Sequence, residues 1–490
     1  MALSIKGAYV AEASWIGSAA GTVHLVLVIV VVLRVVSRRL YPGTSLAWLL
    51  LVVTVPYVGL ALYVLIGERP LGRRRVRRML QMREPLARWL AELPSICRVD
   101  VGAMPVGQGL LARLANASTG FPPMGGAEVA LIEGAPAILS AIARDIDAAR
   151  QSCDMTFSIW NEGGQADQVA LALERAAQRG VRCRVLLDSV GSKEFLSGQW
   201  CRRLREAGVH LEAALPVGLV RAAFVRMDLR LHRKLVIIDG RLGYTGSMNL
   251  VDPAFFKQQA GFGMWVDAML RIEGAPVATL ELVFAGDWLA ETGEAPEAMI
   301  EIGECRPGGA VLQTVPSGPD LSGDNIRRLV LTAIYEARRE LIVTTPYFVP
   351  DEAVLVALES AAMRGVEVTL IVPARVDSRL VRYASRSFFE SLMEAGVRIR
   401  EFDGGLLHTK SLTVDGELTL FGTFNLDIRS LRLNFELTMI AYDAELSQAV
   451  RALQKRYESA SKSLELSAWR ERSKLRRLAE NTARLASPLL

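Results

Sequence analysis

Leu231-His232-Arg233-Lys234-Leu235-Val236-Ile237-Ile238-Asp239 runs on to Gly246-Ser247-Met248-Asn249. The same pattern returns at Leu407-His408-Thr409-Lys410-Ser411-Leu412-Thr413-Val414-Asp415, which runs on to Gly422-Thr423-Phe424-Asn425. Each copy reads H-x-K-x4-D, then six residues, then G-[ST]-x-N. Alternation along a strand sets the His and Lys of each copy on one face. The apolar run after each Lys predicts a buried strand, and Asp-Gly then turns the chain. Two such strands side by side bring two imidazoles, two ammonium groups and two Asn amides to one place. That set suits a phosphodiester: one imidazole attacks phosphorus, the other protonates the leaving oxygen, and Lys and Asn hold the phosphoryl oxygens. The chain has only four histidines, and two of them occupy the matched positions.

The duplication reaches well beyond the motif. Residues 172–181 (ALERAAQRGV) match 357–366 (ALESAAMRGV), and Glu206-Ala207-Gly208-Val209 matches Glu394-Ala395-Gly396-Val397. In the first half, helices are expected at 137–150, 166–179 and 200–207, with strands at 155–160 and 181–187. In the second, helices are expected at 325–338, 352–364 and 386–395, with strands at 340–345 and 366–372. Alternating strands and helices imply an α/β fold, with a largely parallel sheet and helices on both faces once per half. Duplication implies pseudo-two-fold symmetry, with one H-x-K motif from each half meeting at the interface. The halves are placed at 128–287 and 325–466, joined by a Gly-, Pro- and Glu-rich linker at 288–324. His210 has no counterpart, since Arg398 stands at its position, and reads as a strand-end residue.

At 490 residues the chain accommodates several domains. Its hydrophobic content of 51% is high for a soluble enzyme. The net charge of +5 suits an anionic partner, either lipid surface or nucleic acid. The five cysteines are scattered and form no C-x-x-C pair, which argues against a disulfide framework or a zinc site. Apolar runs at about 14–33 and 46–66 predict two membrane-crossing helices within an anchor at 1–70. His24 lies in the first run and reads as an interfacial residue. Arg69, Arg73, Arg74, Arg75, Arg77 and Arg78 open a basic connector at 71–127. They place the C-terminal side in the cytoplasm and also suit anionic headgroups. An insertion at about 213–230, with Arg221, Arg226 and Arg230 among apolar residues, is expected to guide lipid. The basic amphipathic tail at 467–490 is expected to be an interfacial helix.

The doubled H-x-K-x4-D with G-[ST]-x-N resembles the phospholipase D superfamily. The two apolar runs, residues 244–249 (YTGSMN), 344–350 (TTPYFVP), 404–410 (GGLLHTK) and 425–430 (NLDIRS) narrow this to a resemblance to bacterial cardiolipin synthases of the two-span type. The resemblance implies a duplicated phospholipase D-like fold in the bacterial inner membrane, with the catalytic part on the cytoplasmic side. It implies transfer of a phosphatidyl group from one phosphatidylglycerol to another through a phosphohistidine, with no nucleotide and no obligatory metal. By carry-over, His232 is the nucleophile and His408 the acid and base, and pseudo-symmetry leaves the exchange of the two open. Lys234, Lys410, Asn249 and Asn425 bind the phosphoryl oxygens, aided by the hydroxyls of Ser247 and Thr423. Asp239 and Asp415 complete the motif and stand in its catalytic set. Lying at the far ends of their strands, they read instead as turn and salt-bridge residues. Each imidazole needs a carboxylate on its other nitrogen. The candidates are Glu436, in Asn434-Phe435-Glu436, and its counterpart Asp267, in Trp265-Val266-Asp267. A membrane-bound phospholipase D using water, a transferase with another alcohol or with phosphatidylethanolamine as donor, and a scaffold with an idle site are the rival readings. A nuclease does not need the spans. One chain can build the site, so a homo-oligomer is possible but not required.

Overall fold

The computed structural model describes residues 21–37, 42–55, 57–63, 73–92, 97–217, 228–257, 261, 263–294, 306, 308–319 and 324–487. The chain divides into two compact units, one of residues 1–73 with 217–228, the other of 74–216 with 229–490.

In the first unit a helix at 21–37 lies against Pro42–Thr54, with Val31, Val35, Val52 and Tyr63 buried between them. Val23, Val26, Ile29, Val30, Leu33, Leu46, Leu50 and Val53 face outward. The second apolar run differs from one straight span. Tyr57 has φ 62°, and the short helix Val58–Leu62 folds back so that Gly59 meets the backbone of Leu51 and Val52. The sequence gives a local cause, since Pro56 supplies no amide for a continuing helix. Among the described residues no helix is long and apolar enough to cross a membrane. Residues 14–20, 64–66 and 218–227, parts of the expected spans and of the lipid-guiding insertion, lie outside the described residues.

The second unit holds one 15-stranded sheet. From one edge, the first half contributes His210–Ala214, Arg182–Asp188, Ser152–Phe157, Leu235–Ile238, Leu242–Gly246, Ala268–Glu273 and Met124–Glu133. The second half mirrors this order with Ala310–Ser317, Glu436–Ala441, Leu418–Gly422, Ser411–Val414, Glu340–Thr344, Glu367–Pro373 and Arg398–Phe402, and Ser461–Ser463 closes the far edge. The halves join where Met124–Glu133 runs antiparallel to Ala310–Ser317, pairing Met124 with Leu312 and Ala127 with Ala310. Residues 310–317 thus form an inner strand inside the stretch that reads as linker.

The sheet is mixed, which corrects the expectation of a largely parallel sheet in each half. Only the outer strands pair in parallel, as in Ser152–Phe157 with Arg182–Asp188 and Glu340–Thr344 with Glu367–Pro373. The cause is the Asp-Gly turn after each motif. Asp239 and Gly240 have φ 52° and 63°, and Asp415 and Gly416 have φ 52° and 68°. Two positive-φ residues make the tight hairpin whose twist matches that of strands, so each motif strand returns antiparallel. Helices cover both faces and enclose two separate cores. One contains Ile138, Met155, Val185 and Val236, the other Val330, Val343, Leu370 and Leu412.

The connector carries two helices of this unit, Arg73–Glu92 and Val106–Thr119. Leu111, Ala112 and Ala115 of the second pack into the core of the second half. Two arginines of the basic cluster serve the fold. Arg75 pairs with Glu291 and lies 4.4 Å over the Phe435 ring. Arg78 donates to the carbonyls of Ala290 (3.1 Å), Glu291 (2.5 Å) and Thr292 (3.2 Å), capping the helix Pro276–Thr292.

Candidate active site

Each motif histidine sits where its half reaches across to the other. Leu231 forms a parallel bridge with Phe435, and the His232 amide donates to the Phe435 carbonyl at 2.9 Å. Likewise Leu406–Leu407 pairs in parallel with Trp265–Val266, and the His408 amide donates to the Val266 carbonyl at 2.8 Å. The next residue after each partner is the carboxylate. Glu436 Oε2 therefore lies 2.7 Å from His232 Nδ1, and Asp267 Oδ1 lies 2.7 Å from His408 Nδ1. The pairing is exchanged: the first half's imidazole meets the second half's carboxylate, and the reverse.

Burial pulls both imidazoles below their ordinary value, His408 to about 4, with the Lys410 ammonium adding to the effect there. Burial alone raises the carboxylates, but the facing imidazoles and hydrogen bonds outweigh it, so Asp267 and Glu436 both end below the usual range. At neutral pH the imidazoles are neutral and the carboxylates ionised. An ionised carboxylate only accepts, so Nδ1 carries the proton and Nε2 keeps its lone pair. The two histidines are not equivalent. Trp265 lies over the His408 ring at 4.4 Å, and the His408 side chain is 4% exposed against 18% for His232.

Lys234 Nζ donates to the His232 carbonyl at 2.7 Å and Lys410 Nζ to the His408 carbonyl at 2.6 Å. Both are buried, and the Lys234 charge helps to depress Lys410, so the two motifs share one electrostatic site. Burial lowers Lys234 to about 8, despite Glu436 and Asp267 nearby. A group with so low a value loses its ammonium as pH rises through 8. We therefore expect kcat/KM for an anionic donor to fall above pH 8, since that ratio reports the free protein. A flat profile from pH 7 to 10 would show that Lys234 does not titrate there.

Asn249 and Asn425 are both buried at the site. Asn249 Oδ1 accepts from the Ile159 amide at 3.2 Å. Asn425 Oδ1 is buried with no hydrogen-bond partner among the described residues. Ser247 and Thr423 differ from the expectation that they bind phosphate. Ser247 Oγ donates to Asp267 Oδ1 at 2.6 Å, and Thr423 Oγ1 donates to Glu436 Oε2 at 2.5 Å. Each oxygen also accepts a backbone amide, from Ala268 (3.1 Å) and Leu437 (2.8 Å) respectively. The glycine before each makes this approach possible. A Cβ on Gly246 would stand 2.6 Å from the Ala268 carbonyl, and one on Gly422 2.2 Å from the Leu437 carbonyl. The G-[ST] pair thus brings the carboxylate strand close and fastens the carboxylate.

Asp239 and Asp415 stand apart from the imidazoles, about 16 Å along their strands from each Lys at roughly 3.3 Å per residue. Asp239 accepts the amides of Arg150, Gln151 and Ser152, and Asp415 those of Arg338, Arg339 and Glu340. This corrects their place in the catalytic set: they tie each helix-to-strand connection to the hairpin turn. Backbone amides, not a cation, are the partners shown for both. Asp239→Ala is expected to cost about 2 kcal/mol of stability, as loss of charge-assisted hydrogen bonds does. Turnover per folded molecule should stay near normal. A loss of turnover with unchanged denaturation midpoint would contradict this.

Several neighbours carried no legible signal. Asn434 Nδ2 donates to Glu436 Oε1 at 3.2 Å. Arg233, buried, donates to the Glu436 carbonyl at 3.0 Å and pairs with Asp287 at 2.5 Å. At the matching position Thr409 Oγ1 meets the Tyr457 hydroxyl at 3.1 Å. Among the described residues no cluster of His, Cys, Asp and Glu is arranged to hold a metal ion.

Comparison with known proteins bears on this site as a whole. A family model described as the phospholipase D-like domain of cardiolipin synthase matches residues 142–288 and 330–457, so it spans both motifs. A second, described as a phospholipase D-nuclease N-terminal segment, matches residues 25–68. Cardiolipin synthase A of Erwinia tasmaniensis is 43% identical over 472 residues, which is 95% of this chain and 97% of the relative. Cardiolipin synthase A of Salmonella arizonae matches to the same extent. Among solved structures, the phosphatidylserine synthase of Haemophilus influenzae superposes with a TM-score of 0.59 at 14% identity, covering 77% of this chain and 99% of that one. At that identity the likeness is one of fold.

Proposed function

The chain belongs to the cardiolipin synthase family of phospholipase D-like proteins, and from that membership we propose that it joins two phosphatidylglycerols into cardiolipin and glycerol. The observation that carries the reading is the exchanged pair of imidazole–carboxylate contacts, His232–Glu436 and His408–Asp267, beside two buried lysines.

In the first step His232 Nε2 attacks phosphorus of the donor. The bond from phosphorus to the glycerol headgroup oxygen breaks, and that oxygen takes a proton from His408. The anionic phosphodiester settles near Lys234 and Lys410 and offsets the charge that disfavours a protonated His408, so this imidazole gains its proton as the donor binds. In the second step the headgroup hydroxyl of another phosphatidylglycerol gives its proton to His408 as its oxygen attacks phosphorus. The phosphorus–nitrogen bond breaks, and His232 is restored. Glu436 and Asp267 hold each Nδ1–H and stabilise the cationic forms. The greater exposure of His232 supports giving it, and not His408, the attack on phosphorus. The phosphoryl oxygens are assigned to the side-chain NH2 groups of Asn249 and Asn425, both buried.

The test is an incubation of purified protein with phosphatidylglycerol liposomes without nucleotide, followed by mass spectrometry. Cardiolipin and glycerol in equal amounts support the reading. Phosphatidic acid in place of cardiolipin would make water the acceptor and overturn it.

The first unit acts as an inner-membrane anchor that crosses the bilayer, with the second unit on the cytoplasmic side. Its outward valines, leucines and isoleucines and the basic segment after it support this. Alkaline carbonate should leave the protein in the membrane pellet, and a C-terminal tag should be digested only in inverted vesicles. Carbonate extraction, or digestion in right-side-out vesicles, would contradict the placement.

A further inference from the structure

The tail helix Lys474–Arg484 is amphipathic in reverse. It buries Glu480 and Ala483 against the body and turns Leu475, Leu478 and, just beyond its end, Leu485 outward at 80%, 63% and 81% exposure. A helix docked on a soluble domain does the opposite. The inward carboxylate is held by arginines: Glu480 lies 3.2 Å from Arg386, 3.5 Å from Arg472 and 3.5 Å from Arg476. Arg472 and Arg386 lie over the Trp469 ring at 3.9 and 4.3 Å, and Arg484 lies 4.6 Å over Phe388. This seating fixes which side of the helix faces out. The outward leucines are therefore built into the docking, not left over from a loose end.

The helix packs on Arg379–Arg386, which also exposes Leu380 and Tyr383. Together the two helices carry seven Lys and Arg residues and one carboxylate, the buried Glu480. An apolar stripe flanked by cations matches an anionic phospholipid surface, with leucines among the acyl chains and arginines at the phosphates.

The position is equally specific. Arg379–Arg386 starts just beyond Glu367–Pro373, at the same strand ends where Thr344 pairs with Ile371 and with Ser411, the residue after Lys410. Between strand and helix, Asp377 accepts from the Tyr347 hydroxyl at 2.6 Å and lies 3.8 Å from Lys257. Next to Tyr347, Phe348–Val349 pairs with Leu426–Asp427, adjacent to Asn425, and Phe348 meets the Phe388 ring edge-on.

We propose that Arg379–Arg386 and Lys474–Leu485 form a face that seats on an anionic phospholipid surface beside the second-half edge of the active site. It rests on the reading that lipid is the substrate. It adds a second attachment, distinct from the N-terminal unit, which keeps the site mouth on the bilayer surface. Because the N-terminal unit holds the protein on membranes, bulk membrane binding does not report on this face.

The test uses the full chain carrying Cys305→Ser, since the four other cysteines are buried. A bimane label is placed at Leu478→Cys or, just before the start of the strand Glu367–Pro373 and so at the opposite strand end, at Met363→Cys, which is 76% exposed. In phosphatidylglycerol vesicles containing headgroup-depth nitroxide lipid, the label at 478 should be quenched several times more than the label at 363. The difference should shrink in phosphatidylcholine vesicles. Equal quenching at both positions, or protection at 478 traced by crosslinking to a second copy, would overturn the proposal. The triple change Leu475→Ser, Leu478→Ser, Leu485→Ser should slow turnover of bilayer phosphatidylglycerol about tenfold. Turnover of monomeric short-chain phosphatidylglycerol should be unchanged, and equal effects on the two substrates would count against the face. Quenching does not depend on which product forms, so failure of the cardiolipin reading leaves that result standing.

Discussion

His232→Ala should lower turnover about 10⁴-fold or more, and His408→Ala should do the same for phosphatidylglycerol. The double variant should be little worse than either single one, because the two imidazoles act as a unit in one reaction. The roles separate with a donor whose leaving alcohol is acidic and needs no proton. With such a donor, His408→Ala should still release one equivalent of alcohol in a burst and then stall, because no base activates the acceptor. His232→Ala should release none. A burst from His232→Ala would exchange the two assignments, as the pseudo-symmetry of the halves permits.

Glu436→Gln should lower turnover about 10³-fold while leaving the denaturation midpoint within about 1 kcal/mol, and Asp267→Asn should behave alike. The amide is close in shape to the carboxylate but lacks its charge, and it can turn its NH2 toward Nδ1, which favours the wrong tautomer. The Glu436 charge raises His232 against the pull of burial. Removing it lowers His232 further. The nucleophile must be neutral, so the acid limb of kcat/KM should move to lower pH in Glu436→Gln. A merely structural role for Glu436 would leave that limb in place. Thr423→Ala and Ser247→Ala, which keep the carboxylates but remove one hydrogen bond to each, should cost about tenfold. Near-normal turnover in Glu436→Gln would remove the carboxylate from the mechanism.

Much of this site is legible in the linear chain because duplication makes each half a control for the other. Matching Asn434-Phe435-Glu436 to Trp265-Val266-Asp267 points to both carboxylates without any structure. Which imidazole each one meets is not legible. The exchange arises from two short parallel pairings, Leu231 with Phe435 and Leu406–Leu407 with Trp265–Val266, between residues more than 140 positions apart. Local pattern carries no trace of such contacts. The hydroxyls of Ser247 and Thr423 are given to the phosphate only by carry-over from the superfamily resemblance. Only the close approach at Gly246 and Gly422 shows that they are held by the carboxylates instead.

The sheet shows the same limit. Period and propensity predict strands at 155–160 and 340–345, which overlap the observed Ser152–Phe157 and Glu340–Thr344, but they carry no trace of the strands beside them, Leu235–Ile238 and Ser411–Val414, running antiparallel. Ala310–Ser317 lies between stretches rich in Gly and Pro, so it reads as linker although it is an inner strand of the sheet. The apolar run at 46–66 reads as one span on hydropathy alone. Hydropathy averages over Pro56 and so misses the break that Tyr57 marks.

Trapping the covalent intermediate tests the account most directly. Protein mixed with headgroup-phosphate-labelled phosphatidylglycerol is quenched in alkali, which spares a phosphorus–nitrogen bond, and is then digested and sequenced by mass spectrometry. The account predicts a phosphatidyl group on His232, formed and lost at rates compatible with turnover and absent from His232→Ala. Full turnover with no adduct on either imidazole would contradict it, because the acceptor would then attack the donor directly and the exchanged imidazole–carboxylate pairs would have no covalent role.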